Sequence, residues 1–185
     1  FKLNEKSNLR ASASQTLARP NMREMAPFAS FPLTGGFIRN GNPNLGRTLI
    51  QNYDLRYELF PNAGELIAAS IFYKSFTDPI VQRLSPVGSG GQITPVNVSE
   101  ATLYGIELEF RKNLDFIAPA LEDVKFSTNF TYTYSEVPLT DEEFEAFQRV
   151  NPNIGRTRPF QAQSPFIFNA NLTYINDKLG LESTV

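Results

Sequence analysis

The sequence contains no cysteine, no histidine and no tryptophan. Without cysteine there are no disulfides, no thiolate metal sites and no thiol nucleophile. Without histidine the chain lacks the commonest general base and the commonest metal ligand. Most hydrolase and metalloenzyme constellations are closed to it, so we expect no catalytic residue, no metal ligand and no cofactor, and read the chain as a non-enzyme. Charge of one sign is also missing: 17 basic against 19 acidic residues leave a net charge of −2, which provides no field to attract nucleic acid. No run approaches the roughly 18 to 20 apolar residues of a membrane-spanning helix, and mean hydropathy is −0.26. Any membrane crossing must therefore be made by strands. Phe1 opens no basic stretch followed by an apolar one, the mark of a secretory leader, so the numbering is expected to begin inside a longer chain.

What is present is alternation. From Asn52 to Leu59 every odd position is apolar or aromatic (Tyr53, Leu55, Tyr57, Leu59) and every even one charged or strongly polar (Asn52, Asp54, Arg56, Glu58). A period of two is a β-strand with two unlike faces. The same pattern recurs around Leu9–Ser14, Ile67–Lys74, Tyr104–Arg111, Val124–Ser135 and Phe166–Ile175, with Phe72 as an imperfection. These segments predict six strands, with partial ones at Phe1–Leu3 and Gly180–Val185.

The connections alternate as well. Short ones fall at Asn4–Ser7, Pro61–Glu65, Lys112–Asp123 and Asn176–Lys178, and long ones at Ala18–Arg47, Thr77–Ala101 and Val137–Gln163. In an antiparallel meander every second connection lies on the same side, so short turns gather at one end and long loops at the other. Outer-membrane barrels are built this way, with short periplasmic turns and long extracellular loops. Three unstructured loops of that length argue against a compact soluble domain. Aromatics fall at two levels, Phe60, Phe110, Phe126 and Tyr174 near the short turns and Tyr73, Tyr104, Tyr134 and Phe166 near the long loops. Two levels suit the two interfacial girdles of a barrel. The expected fold is thus all-β, an antiparallel up-and-down transmembrane barrel with Tyr53, Leu55, Tyr57 and Leu59 toward lipid. Within the third long loop, Thr140 and Glu143 form a capping-box pattern with Leu139 and Phe144 at staple positions. This predicts a short helix with Phe144, Phe147 and Val150 on one face. GSGG at 88–91 has flexible-linker chemistry, and NGNPNLG at 40–46 has turn chemistry.

Three stretches carry a family resemblance: NLRASASQTLARPNMREMAPFASF (8–31), GNPNLGRTLIQNYDLRYELFPNAGELIAASIFYKSFTDPI (41–80) and ATLYGIELEFRKNL (101–114). In their order they resemble the C-terminal part of the barrel of TonB-dependent outer-membrane receptors of the Bacteroidetes type. The resemblance implies a barrel of about 22 strands around a plug, import of a scarce nutrient such as a ferric siderophore, an oligosaccharide or a peptide, and energy relayed through the TonB complex. Residues 1–185 are then expected to be a segment of the barrel domain, with the plug outside this chain and outer-membrane lipid as an obligatory partner. Two other readings are a self-contained barrel of about eight strands and a soluble β-sandwich binding carbohydrate or protein. The short end strands count against the first, and the one-sided loop lengths against the second.

On this reading Arg10, Asp54, Arg56, Glu58, Glu107, Glu109, Arg111 and Asn129 line the lumen. Glu107 and Glu109 have the spacing of paired carboxylates in hydrolytic sites, but they alternate with lipid-type residues and adjoin Arg111, so we read them as part of a charge network with Arg56 and Arg10. Arg19, Asn21, Arg23, Glu24, Asn40–Asn44, Arg156 and Arg158 are polar groups near the expected outer rim, where arginine either selects anionic ligands or ties loops together.

Overall fold

The computed structural model describes residues 1–31, 36–85, 91–176 and 181–185. Along the chain come strands β1 (Lys2–Asn4) and β2 (Ser7–Ala18), a one-turn helix α1 (Met22–Met25), β3 (Ala29–Ser30), β4 (Ile38–Asn40), β5 (Thr48–Leu59) and β6 (Leu66–Thr77). There follow β7 (Ile80–Ser85), β8 (Gln92–Asn97), β9 (Glu100–Asn113), β10 (Val124–Pro138), helix α2 (Asp141–Gln148), β11 (Thr157–Arg158), β12 (Phe166–Asn176) and β13 (Leu181–Thr184). The six patterned segments and the two partial ones form strands, with Gly180 of the last partial one outside the described residues. They build one wall in the order β1-β2-β5-β6-β9-β10-β12-β13, an open up-and-down sheet with β11 paired to the end of β10. Every neighbouring pair in the wall is antiparallel.

The register stacks like residues into rows. Leu9, Tyr57, Ala69, Leu108, Phe130 and Phe168 form one row across six strands, and Ala11, Leu55, Ile71, Ile106, Tyr132 and Phe166 form the next. Above them Ala13, Tyr53, Tyr73, Tyr104 and Tyr134 lie side by side, with ring centroids 6.3 Å apart for Tyr53 and Tyr73 and 5.3 Å for Tyr104 and Tyr134. Nearer the short turns Phe110 and Phe126 lie 6.4 Å apart. This apolar face is exposed, and no element of the described residues packs on it; the polar face is exposed at Ser12, Asp54, Glu107 and Asn129 but buries the charged group at Glu58. Leu108 is 47% exposed, whereas Glu58 on the other face is 7% exposed. A water-soluble sheet has the opposite arrangement, with its apolar face packed on a core and its polar face in solvent.

Directly beyond the tyrosine row the alternation inverts. The next row on the same face is Gln15, Gln51, Ser75, Thr102 and Glu136, entirely polar. The opposite face turns apolar at the same level: Phe76, Ala101 and Val137 there pack with Val81, Val96 and Val98 of the β7–β8 hairpin and with Phe160. The core of the molecule is therefore at the long-loop end.

The long connections are more ordered than their sequence suggests. Expected as unstructured, they carry α1, β3, β4, β7, β8 and β11, and β3-β4-β8-β7 form a second sheet in which β4 and β8 run parallel. These strands are two to six residues long, too short for a period to register, and Pro95 lies inside β8. The helix α2 forms with the expected cap, Thr140 and Glu143 bonding reciprocally. Val150 corrects the expected apolar face. It lies past the helix end and is 88% exposed, because the helix stops after two turns. Of GSGG, residues 88–90 lie outside the described residues, as do 177–178 of the fourth short turn; Gly91 is described, with φ +67°. Gly64 at φ +78° supplies the left-handed residue that the tight β5–β6 turn requires.

Candidate functional site

The sequence-predicted lining residues all fall on the polar face, and most are joined by one ladder of charge. Alternation on β2, β5 and β9 puts the basic and acidic side chains on the same side, and the register brings them within reach. Arg10 Nε lies 2.9 Å from Glu58 Oε2, Arg56 Nε 2.9 Å from Glu58 Oε1, Arg56 Nη2 2.7 Å from Glu109 Oε2, and Arg111 Nη2 2.5 Å from Glu109 Oε1. Between β5 and β9 runs β6, whose small Ser70 lets the Arg56 guanidinium pass over it and accepts a hydrogen bond from Nη1 at 3.2 Å. Ser12 donates to Asp54 at 3.2 Å, and Asn169 donates to Asn129 at 2.8 Å. Glu107 shares the face but, among the described residues, makes no ion pair. The expected network with Arg56 and Arg10 therefore takes in Glu109, which Arg56 and Arg111 hold, but not Glu107.

Toward the long loops the same face carries Lys74, which donates to Asn52 Oδ1 at 3.1 Å, while Asn52 Nδ2 donates to Thr16 Oγ1 at 3.1 Å. Alternation had already marked these positions as polar-face, but their pairing depends on register. Phe72, the imperfection in β6, lies opposite Gly105. A Cβ on Gly105 would meet the Phe72 ring at 2.6 Å and the Tyr132 carbonyl oxygen, so the glycine provides the space that the ring occupies. This is the cross-strand device by which an aromatic covers a glycine in a sheet.

At the short-turn end a second cluster was not anticipated. Buried Glu65 accepts from Lys112 Nζ at 2.6 Å and from Asn62 Nδ2 at 2.9 Å, and Asn113 Nδ2 donates to the Ala63 carbonyl at 3.2 Å. The Lys112 hydrogen bond, helped by Asn62 and opposed by burial, holds the Glu65 carboxyl below its ordinary range. The cluster pins the β5–β6 turn to the end of β9.

At the other end, the rim residues divide by role. Arg156 pairs with Asp141 at 3.3 Å and stacks over Phe144, 4.3 Å from its centroid, while Arg158 lies 3.7 Å from Glu143. These two arginines tie the third loop together. Asn42 Nδ2 donates to the Pro95 carbonyl at 3.0 Å, and Asn97 and Gly46 exchange two bonds, which joins the first loop to the second. Asn21 and Glu24 cap α1 reciprocally. Arg23 and Arg39 make no ion pair among the described residues. With Asn21, Asn40, Gln82 and the carboxylate of Glu24 they line a cleft of about 190 Å³, where two arginines and the carboxamides can meet an oxygen-rich group and the Glu24 carboxylate is engaged by the α1 cap. Among the described residues no cluster of acidic side chains is arranged to hold a metal, and no helix is long and apolar enough to cross a membrane.

Comparison with known proteins bears on what such a wall is. The family model described as "TonB dependent receptor-like, beta-barrel" matches residues 1–184. No curated protein sequence matches. Among solved structures, the siderophore receptor PirA from Pseudomonas aeruginosa is 20% identical, with a TM-score of 0.56 over 94% of this chain and 26% of that one. PirA from Acinetobacter baumannii is 17% identical, with a TM-score of 0.59 over 95% and 26%. The copper transporter OprC is 14% identical, with a TM-score of 0.61 over 95% and 23%. At these identities the likeness is one of fold, and the chain spans about a quarter of the length of these solved relatives.

Proposed function

Because the chain belongs to the TonB-dependent receptor-like β-barrel family, whose members are β-barrels of the Gram-negative outer membrane, we propose that it is a segment of the wall of a receptor that imports a scarce nutrient. The observation that carries this reading is the inversion at the tyrosine row. Below it the wall is apolar outside and charged inside; beyond it the first outward row is polar, and on β5, β6, β9 and β10 Ile50, Phe76, Ala101 and Val137 turn inward. A sheet held in one solvent keeps one phase of alternation along its length. A change of phase shared by four strands at one level supports a passage from lipid to water there.

On this reading the ladder Arg10–Glu58–Arg56–Glu109–Arg111, with Asp54, Glu107 and Asn129, lines the lumen. The long loops are extracellular and the short turns periplasmic. The plug and the contact with TonB are supplied by parts of the receptor outside this chain. The nutrient meets the long loops first. The cleft at Arg23 and Arg39 carries one more cation than its single carboxylate, Glu24, offsets, which supports an anionic ligand of the ferric siderophore class.

The chain's lack of cysteine makes the test direct. Single cysteines placed in the full receptor should sort by parity, those at Leu55, Tyr57, Phe130 and Tyr132 reporting lipid and those at Arg56, Glu58, Asn129 and Thr131 reporting water. Equal aqueous labelling on both parities would sink the barrel reading. A further pair of positions tests the inversion itself, because Gln51 should report water although it shares the parity of Tyr53.

A further inference from the structure

The third long loop holds a carboxylate used twice. Glu143 is 2% exposed although it lies on a two-turn helix at the molecular rim. Its Oε2 accepts from the Thr140 backbone N–H at 3.2 Å, which closes the helix cap. Its Oε1 accepts from the Leu84 backbone N–H at 3.3 Å, on β7. Strand β7 is an edge of the four-stranded sheet, so among the described residues no neighbouring strand takes the Leu84 N–H. The adjacent edge acceptor is met in the same way: the Gln82 carbonyl takes bonds from Arg158 Nη2 at 3.1 Å and Gln161 Nε2 at 2.9 Å. Arg83 pairs with Glu142 at 3.1 Å, and the Phe160 ring meets Phe76 edge-on at 5.1 Å. Side chains of the third loop thus complete the sheet edge in place of a fifth strand.

From this arrangement we infer that the third loop is a conformational clip in which helix formation and docking on β7 are one event, coupled through Glu143. An eight-residue helix is too short to persist in water alone. Its cap is made by the same carboxylate that bonds Leu84, so undocking takes away the tertiary contacts on which so short a helix depends and bares the β7 edge, while unfolding the helix removes the groups that dock. Neither half is stable without the other. Docked, the clip fixes the backbone of Gln82, a residue that lines the Arg23–Arg39 cleft; released, it frees Gln82 and the loop together. That the clip stands at a receptor entrance rests on the proposed function. The coupling does not.

Hydrogen exchange on the full receptor, read at single amides, tests the coupling. In the unaltered protein the Leu84 amide, the α2 amide of Phe144 and the C-cap amide of Arg149 should show the same protection and the same denaturant dependence, as members of one opening unit do. The decisive variant is Thr140→Ala, which removes only a cap hydroxyl that has no hydrogen bond to β7 among the described residues. It should cost α2 about fivefold in protection, the usual worth of a cap, and Leu84 by the same factor. Glu143→Ala should lower both by more. Loss of α2 protection with Leu84 unchanged would overturn the clip, as would unequal protection in the unaltered protein, a comparison that stands even if a variant fails to assemble. Should the cysteine labelling above fail while this coupling holds, the error would lie in the barrel reading and not in the clip.

Discussion

Arg56 and Arg10 both pair with Glu58, yet they differ in what their removal leaves behind. The Arg56 side chain is 27% exposed and bridges two carboxylates, whereas the Arg10 side chain is 67% exposed and serves one. Arg56→Ala should cost about 1.5 to 3 kcal/mol, the worth of hydrogen bonds to charged groups. Arg10→Ala should cost about 0 to 1 kcal/mol, as exposed pairs do. Denaturant midpoints of the two variants in detergent would check the ranking. Leu108 and Glu107 test the two faces in the same spirit. Leu108→Arg puts a cation in the apolar band at about 2 to 4 kcal/mol, and Glu107→Gln removes a charge that has no ion-pair partner among the described residues. The discriminating substitution is Leu108→Phe. Lipid accommodates the larger ring, while a close-packed core would lose about 1 to 3 kcal/mol to overpacking. Heat-modifiable gel mobility should report impaired assembly for Leu108→Arg and near-normal assembly for the other two. At this scale parity was legible in the sequence and partnership was not. That Arg56 and Glu109 share a face follows from alternation, but that they meet over Ser70 depends on a register no single strand encodes. Phe72 looked like an error in the pattern for the same reason, since the space that admits it belongs to Gly105 on another strand.

Elements were legible where one physical environment persisted along them. The strand centres, bathed on each face by a single medium, gave clean alternation. Their long-loop ends did not, and β2, β5, β6, β9 and β10 run three or more residues further than the pattern suggests. There the phase reverses: Ile50, Phe76 and Leu103 occupy positions that are polar lower down, while Gln51, Ser75 and Thr102 occupy apolar ones. A window that spans the reversal averages to nothing. The helix α2 was readable because a capping box is a local signal; the docking role of Glu143 was not, because its second partner is 59 residues away. The turn cluster at Glu65 makes an element-scale prediction. Its carboxyl titrates below the ordinary value of 4.5, so the contribution of the pair is fully present above that value and fades as pH falls through the lower, folded one. Denaturant stability of the receptor should therefore decline as pH is lowered from about 4.5, and Glu65→Gln should be less stable at neutral pH and lack that part of the decline. An unchanged pH profile in Glu65→Gln would show that the pin contributes nothing to stability.

At the scale of the molecule, the wall has one end built of tight turns and one built of interlocked loops, and these two ends should meet different compartments. An epitope tag inserted at 88–91 should be reached by antibody on intact cells, and one at 61–64 only after permeabilisation. The reverse result would mean that the sidedness is inverted. The up-and-down order of the wall was readable from alternating connection lengths alone. The parallel pairing of β4 with β8 was not, since it joins two-stranded fragments from different loops.

The outward apolar face has a consequence for how such a chain reaches its destination. A protein bound for the outer membrane must first cross the inner one and then pass through water. Because apolar and polar residues mostly alternate along the wall, the chain offers no stretch of about 20 apolar residues that would halt it as a helix, and its mean hydropathy is only −0.26. Its hydrophobicity is encoded in phase and becomes a surface only once the strands are paired. The same residues that make the finished wall insoluble let the unfinished chain travel.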